Sequence, residues 1–350
     1  MTPTAHASRP PAPRSSRWRR VVTIGVTSVL AATALTGCGL RDTVVGIHPA
    51  PVESTGGAPL TVDAATRITT RVLADVATAE AQVGDEGTAA RQGVLTGTAL
   101  AMSLAELKVG TTPAPSAPPV ERADDPTILA LSRGMEWPRV ILATTLDAQT
   151  NTRYLHALTS GSASEPFILA ARVPMLAGTT LPSLGEVGQG VEIVAPDDAS
   201  GLVLAPSAAV TDYAAALAFP VPTEANAVVP AKDSYATAQI TTAQEQSDAL
   251  GELATYTIAH TAVAQDTLAV RLADGGVVVF GHLTRLDTIA VTEQGENITI
   301  PEELKSLVGD VTTAKTLEIG AVEAVALLVP TSGEVSAIGI QDQREHGTTT

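Results

Sequence analysis

The chain has 350 residues, 45% of them apolar and 17% charged; that is core material for about two domains and excludes a wholly disordered chain. A net charge of −16 with only 3% aromatic residues excludes a nucleic-acid partner, which needs a basic surface and stacking platforms. A single cysteine, Cys38, excludes an internal disulfide framework and a multi-cysteine metal site.

Residues 1–20 carry Arg9, Arg14, Arg17, Arg19 and Arg20 and no acid, and Val21 to Leu35 follows without a charge. A basic stretch, a short apolar run and small residues at its end read as a secretory signal peptide over residues 1–37. The run is shorter than the ~20 residues a bilayer-spanning helix needs. Arg19-Arg20 opens a twin-arginine route, but Val21-Val22-Thr23 departs from that pattern and favours general secretion. Leu35-Thr36-Gly37-Cys38 resembles the lipobox of bacterial lipoproteins. The resemblance implies that Cys38 becomes the lipidated first residue of the mature chain, anchored to the outer face of the cell membrane. Two acyl chains hold stably where one is marginal. Removing residues 1–37 leaves 16 basic against 37 acidic residues, a surface that anionic headgroups repel. The folded part is therefore expected to stand off the bilayer.

Residues 38–60 read as a disordered tether, with Pro49, Pro51, Pro59 and Gly56-Gly57. Thr61 caps an expected helix to about Val83, with Gly84 as its stop and Ile68, Val72, Val76 and Ala79 on one face. A second helical pattern covers Gly97 to Lys108, and the proline-rich stretch Gly110 to Pro126 reads as a loop. Arg139 to Leu146, Thr152 to Thr159 and Pro166 to Val173 read as successive antiparallel strands. The order then recurs. A helix over Pro206 to Phe219 and a weaker helical or irregular stretch over Asp233 to Leu250 precede strands at Leu253 to Leu272 and Val277 to Val291. Asp274-Gly275-Gly276 is a tight turn, Pro301 to Val308 makes one or two helical turns, and Ala321 to Pro330 pairs with Glu334 to Ile340. The expected fold is α+β, two units of helices packed on strongly bent antiparallel sheets. The units cover residues 61–181 and 206–340, with a flexible tail over 341–350.

Three features in order resemble a family of actinobacterial lipoproteins that has no established activity. They are the lipobox, then Leu95-Thr96-Gly97-Thr98-Ala99-Leu100 followed by Trp137-Pro138-Arg139, then Ala205-Pro206 with Asp212-Tyr213 and Leu272-Ala273-Asp274-Gly275-Gly276. The resemblance spans the mature chain. It implies two domains of the nuclear-transport-factor-2-like, cystatin-like type, a fold that hosts enzymes, carriers and interaction domains alike.

Few residues point to chemistry. His156, His260 and His282 lie on expected strands, while His48 and His346 sit in the tether and tail. His260 and His282 could share a metal or acid/base site on neighbouring strands, but no clustered carboxylate accompanies them, and separate strand histidines are the plainer reading. Gly185, Gly188 and Gly190 read as an inter-domain linker and Asp197-Asp198 as a solvated turn. Asn297-Ile298-Thr299 reads as a chance match to a glycosylation site, and Trp137 as core or hinge. No nucleophile elbow or phosphate loop occurs. The expectation is a non-catalytic interaction or scaffolding lipoprotein of the cell envelope, without cofactor or metal, bound to an unknown envelope protein. The alternative is a carrier of a lipid or small apolar ligand on the concave sheet face. A hydrolase or isomerase comes third, and it requires His260 or His282 to meet a buried carboxylate in a cleft.

Overall fold

The structure is a computed structural model that describes residues 56–110, 126–224 and 226–350. Helix α1 runs Val62–Glu80, and Thr61 caps it by accepting the Ala64 N–H at 3.2 Å. Its buried residues Ala65, Thr69, Val72, Val76 and Ala79 alternate in steps of four and three, the spacing of one helical face. Gly84 is not a stop but the first residue of α2 (Gly84–Val94). That helix lacks an apolar stripe and buries only Gly87 and Arg91. Its hold is polar: the Arg91 guanidinium donates to the carbonyls of Ala79, Glu80 and Gln82 at 2.8–2.9 Å. A cation thus closes the carbonyl end of α1. α3 (Gly97–Val109) ends at Gly110, whose φ of 69° is the left-handed conformation of a helix stop.

The first sheet is an antiparallel meander of β1 (Thr127–Leu131), β2 (Arg139–Asp147), β3 (Thr152–Ser160) and β4 (Ile168–Pro174). Its residues alternate between two cores, as the two-residue period of a strand requires. Ile141 and Ala143 meet Val72 and Val76 of α1, whereas Val140 and Leu142 face the second sheet.

The second sheet is built from β5 (Ile193–Val194), β6 (Ala254–Ala262), β7 (Leu268–Arg271), β8 (Val277–Val291), β11 (Thr316–Val329) and β12 (Ser336–Thr349). The order is β12-β11-β8-β7-β5, with β6 pairing farther along β8, and all pairs are antiparallel. Val278, Phe280, Val322 and Ala324 face the first sheet. Val277, Val279, Val325 and Leu327 face α4 (Pro206–Ala216), and the same side is covered by α5 (Ser234–Leu250). Gly281 lets α4 come close, since a Cβ there would lie 2.8 Å from both Val210 methyls. β8, β11 and β12 overrun the central core as an arm. The segment holding β9 (Ile298–Thr299), α6 (Lys305–Val308) and β10 (Thr313–Ala314) packs on that arm around Ile300, Leu317 and Ile319.

The expected halves each supply helices and one antiparallel sheet, but they share a core, and the described residues belong to one compact unit. The glycine-rich stretch read as a linker is a strap joining the sheets. Val191 exchanges bonds with Leu131 and Arg133 beside β1, while Ile193–Val194 pair with β7. At the opposite edge the Leu176 N–H donates to the Ile338 carbonyl at 2.8 Å, handing β4 over to β12. The tail expectation for 341–350 is also corrected. β12 continues to Thr349, paired residue by residue with β11. Its sequence looks unpatterned because one side is solvated and a bulge near Arg344 shifts the alternation.

Candidate functional site

On its α5 side the second sheet carries one polar row across four strands. Register sets His260 of β6 opposite Arg285 of β8, and Glu323 of β11 opposite Asp342 of β12. Directly opposed residues point to the same side, so all four converge under α5. The Glu323 carboxylate is fully buried; it accepts from the Tyr235 hydroxyl at 2.7 Å and from Arg285 Nη1 at 3.1 Å, with His260 Nε2 at 3.4 Å. The same Arg285 nitrogen lies 3.2 Å from Asp342, and its Nε lies 3.2 Å from Asp287 Oδ1. One guanidinium therefore serves three carboxylates.

Burial alone would raise Glu323; the hydrogen bond and charge of His260, with Arg285, outweigh it and hold the carboxyl below its ordinary range. Asp287 goes the other way, pushed up by burial against the pull of Arg285. Five buried atoms of this cluster lack an aligned hydrogen-bond partner: Gln239 Oε1, His260 Nδ1, Arg285 Nε, Asp287 Oδ1 and Glu323 Oε2. The Arg285–Asp287 pair is an ion pair by distance and not a well-directed hydrogen bond.

Asp287 also lines a cavity of about 740 Å³. The cavity lies between the C-terminal half of α5, the strand arm and residues 294–304. Leu250, Leu253, Ile289, Leu304, Leu317 and Ile319 form an apolar wall, and Tyr256, Asp287 and Arg344 supply polar groups. The Tyr256 hydroxyl is pushed up to about 12, first by burial and then by the Asp287 charge. An apolar cavity of this size with a few polar groups and a perturbed carboxyl is the usual form of a small-molecule site. A second cavity of about 800 Å³, around Thr150–Arg153 and Met175–Leu184, has Arg153 as its one ionisable lining residue.

The histidines singled out by sequence do not converge. His260 faces α5, while His282, on the neighbouring strand, points to the opposite side of the sheet. His282 Nδ1 sits 2.6 Å from Asp266 Oδ2, and its Nε2 is buried without a partner. Each histidine thus meets a carboxylate, yet neither lines either cavity. His156 is buried under the first helices, and His346 lies over Gly320. Among the described residues no group of three or more His, Cys, Asp or Glu is placed to hold a metal ion. Asp198 accepts the Ser200 N–H at 2.8 Å in an exposed turn. Asn297 sits on the cavity rim. Trp137 is half-buried beneath the Arg139 guanidinium, 4.3 Å from the ring centre, and is neither core nor cavity wall. Cys38 and His48 lie outside the described residues. Among the described residues no helix is long and apolar enough to cross a membrane.

Sequence reasoning passed over Glu323, Arg285 and Asp287. The available signal was Glu323 itself, a lone charge inside the apolar run Ala321 to Val329. A charge in such a run is buried only if paired. No curated protein and no solved structure matches the chain. A family model described as a domain of unknown function (DUF8094) matches residues 60–347, and the chain belongs to that family.

Proposed function

We propose that the protein is a membrane-anchored extracytoplasmic binding protein that carries a small, largely apolar ligand, without catalysing a reaction on it. The cavity beside α5 carries this reading, because it joins an apolar wall of six aliphatic side chains to a short polar end. The anchor rests on the signal-like residues 1–37 and on Cys38 as the unique cysteine. The two histidine–carboxylate pairs support a non-catalytic role, since both lie outside the cavity lining. Native mass spectrometry of the full chain carrying Cys38→Ala, against the same chain with Ile289→Trp, tests the carrier. A copurifying ligand lost on filling the cavity supports it; identical spectra with no bound species from a lipid-containing host oppose it. For the anchor, Cys38→Ala should move the protein from the membrane to the soluble fraction.

A second reading, a surface that binds an envelope protein, is favoured by the uncovered side of the strand arm. There Thr257, Thr288, Glu318 and Thr348 stand in one row across four strands, next to Leu286, 37% exposed. Arginine substitutions at Thr257 and Thr348 on that row would abolish capture of such a partner and leave ligand retention intact.

A further inference from the structure

We infer that the ligand of this cavity is a cationic amphiphile, an apolar chain ending in an ammonium group that seats against Asp287. The inference rests on the carrier reading and specifies its chemistry. The aliphatic wall accounts for the chain. The polar end sets the sign of the head. Behind it Asp287, Glu323 and Asp342 share Arg285. Among the lining residues Asp287 and Glu296 are acidic and Arg344 is basic. The lining is therefore one positive charge short.

The hydrogen-bond inventory points the same way. Of the cluster's unpartnered buried atoms, Asp287 Oδ1 is the acceptor that belongs to a cavity-lining residue, and it faces Arg285 Nε without an aligned hydrogen bond. Tyr256 lines the cavity beside Asp287, and its neutral hydroxyl can donate or accept but brings no charge. A head group that donates and carries positive charge satisfies both shortages; a carboxylate or phosphate head would worsen both. Burial pushes the Asp287 carboxyl up against the pull of Arg285, and a seated ammonium would oppose that push.

The test uses the full chain with Cys38→Ala, stripped of copurifying lipid on a hydrophobic resin. Displacement of the neutral fluorophore N-phenyl-1-naphthylamine is followed with dodecylamine, dodecanol and dodecanoate below their micelle concentrations. Dodecylamine should displace the dye at a concentration about tenfold lower than dodecanoate, with dodecanol between. Asp287→Asn should bring amine and carboxylate within about threefold while leaving dodecanol unchanged. Arg344→Gln, on the exposed rim, should strengthen the amine about threefold, and it keeps the inference testable if Asp287→Asn unfolds. Dodecanoate binding as tightly as dodecylamine overturns the head-group inference and leaves the carrier standing. An amine preference untouched by both variants also overturns it. Failure of the dye and of all three amphiphiles to bind removes the carrier reading itself.

Discussion

His156 Nε2 lies 2.8 Å from Thr145 Oγ1, and the other ring nitrogen of His156 is buried without a partner. Burial, helped by the nearby Arg172 charge, depresses its pKa to about 3. The unfolded chain takes up a proton near pH 6.5 and the folded one only near pH 3. Stability contributed by the neutral ring is therefore complete above pH 7 and falls as pH drops through that window, by roughly 3–5 kcal/mol in all. Urea unfolding at pH 7.5 and 4.5 should show this loss in the wild type and a clearly smaller one in His156→Asn.

Asp233 ties two helices together. One carboxylate oxygen caps α5 by accepting the Ala236 N–H at 2.9 Å, and the other accepts the Tyr213 hydroxyl of α4 at 2.9 Å. Tyr213→Phe should cost about 1–2 kcal/mol by leaving one oxygen unmatched. Asp233→Ala should cost about 2–4 kcal/mol, because the cap goes as well. Thermal melts of both variants and the double variant check this. The double variant should be no worse than Asp233→Ala.

Gly281 has no room for a Cβ, since its neighbour is the branched Val210 side chain. Gly281→Ala should destabilise by about 1–3 kcal/mol through overpacking. Adding Val210→Ala should recover part of the loss, although the valine is itself 1% exposed and its truncation costs stability alone. If the two losses simply add, the close approach is not the cause.

The buried row makes the steepest prediction. Arg285→Met alone should cost about 3–5 kcal/mol, because three carboxylates lose their shared cation, whereas Glu323→Gln should cost less, because Arg285 keeps Asp287 and Asp342. Arg285→Met combined with Glu323→Gln should cost less than the sum. Denaturant unfolding of the four proteins gives the coupling directly.

Local signals in the sequence carried far where they depended on neighbours in the chain. The Thr61 cap, the face of α1, the proline opening of α4 and the three strands β2–β4 all stand where the residues point. α2 escaped notice because its stability comes from Arg91 reaching back to α1, and no apolar periodicity records that. The ending of β12 escaped because its partner strand, not its own composition, makes it a strand. The site was least legible. His260, Arg285, Glu323 and Asp342 are far apart in sequence and become neighbours only through the register of four strands. The family match assigns no role to any of them.

The hand-over from β4 to β12 bears on the order of events during synthesis. Thr179 Oγ1 also reaches the Ile338 carbonyl, at 2.9 Å across 159 residues of chain. The inner side of the first sheet, made early, is covered in part by Met102 and Ala105 of α3, and the rest of its cover waits for β8, β11 and finally β12. Such distant closures slow folding, because loop entropy is lost before the contacts compensate for it. The nascent first half thus has an apolar sheet face open, a hazard for aggregation until the last strand is made.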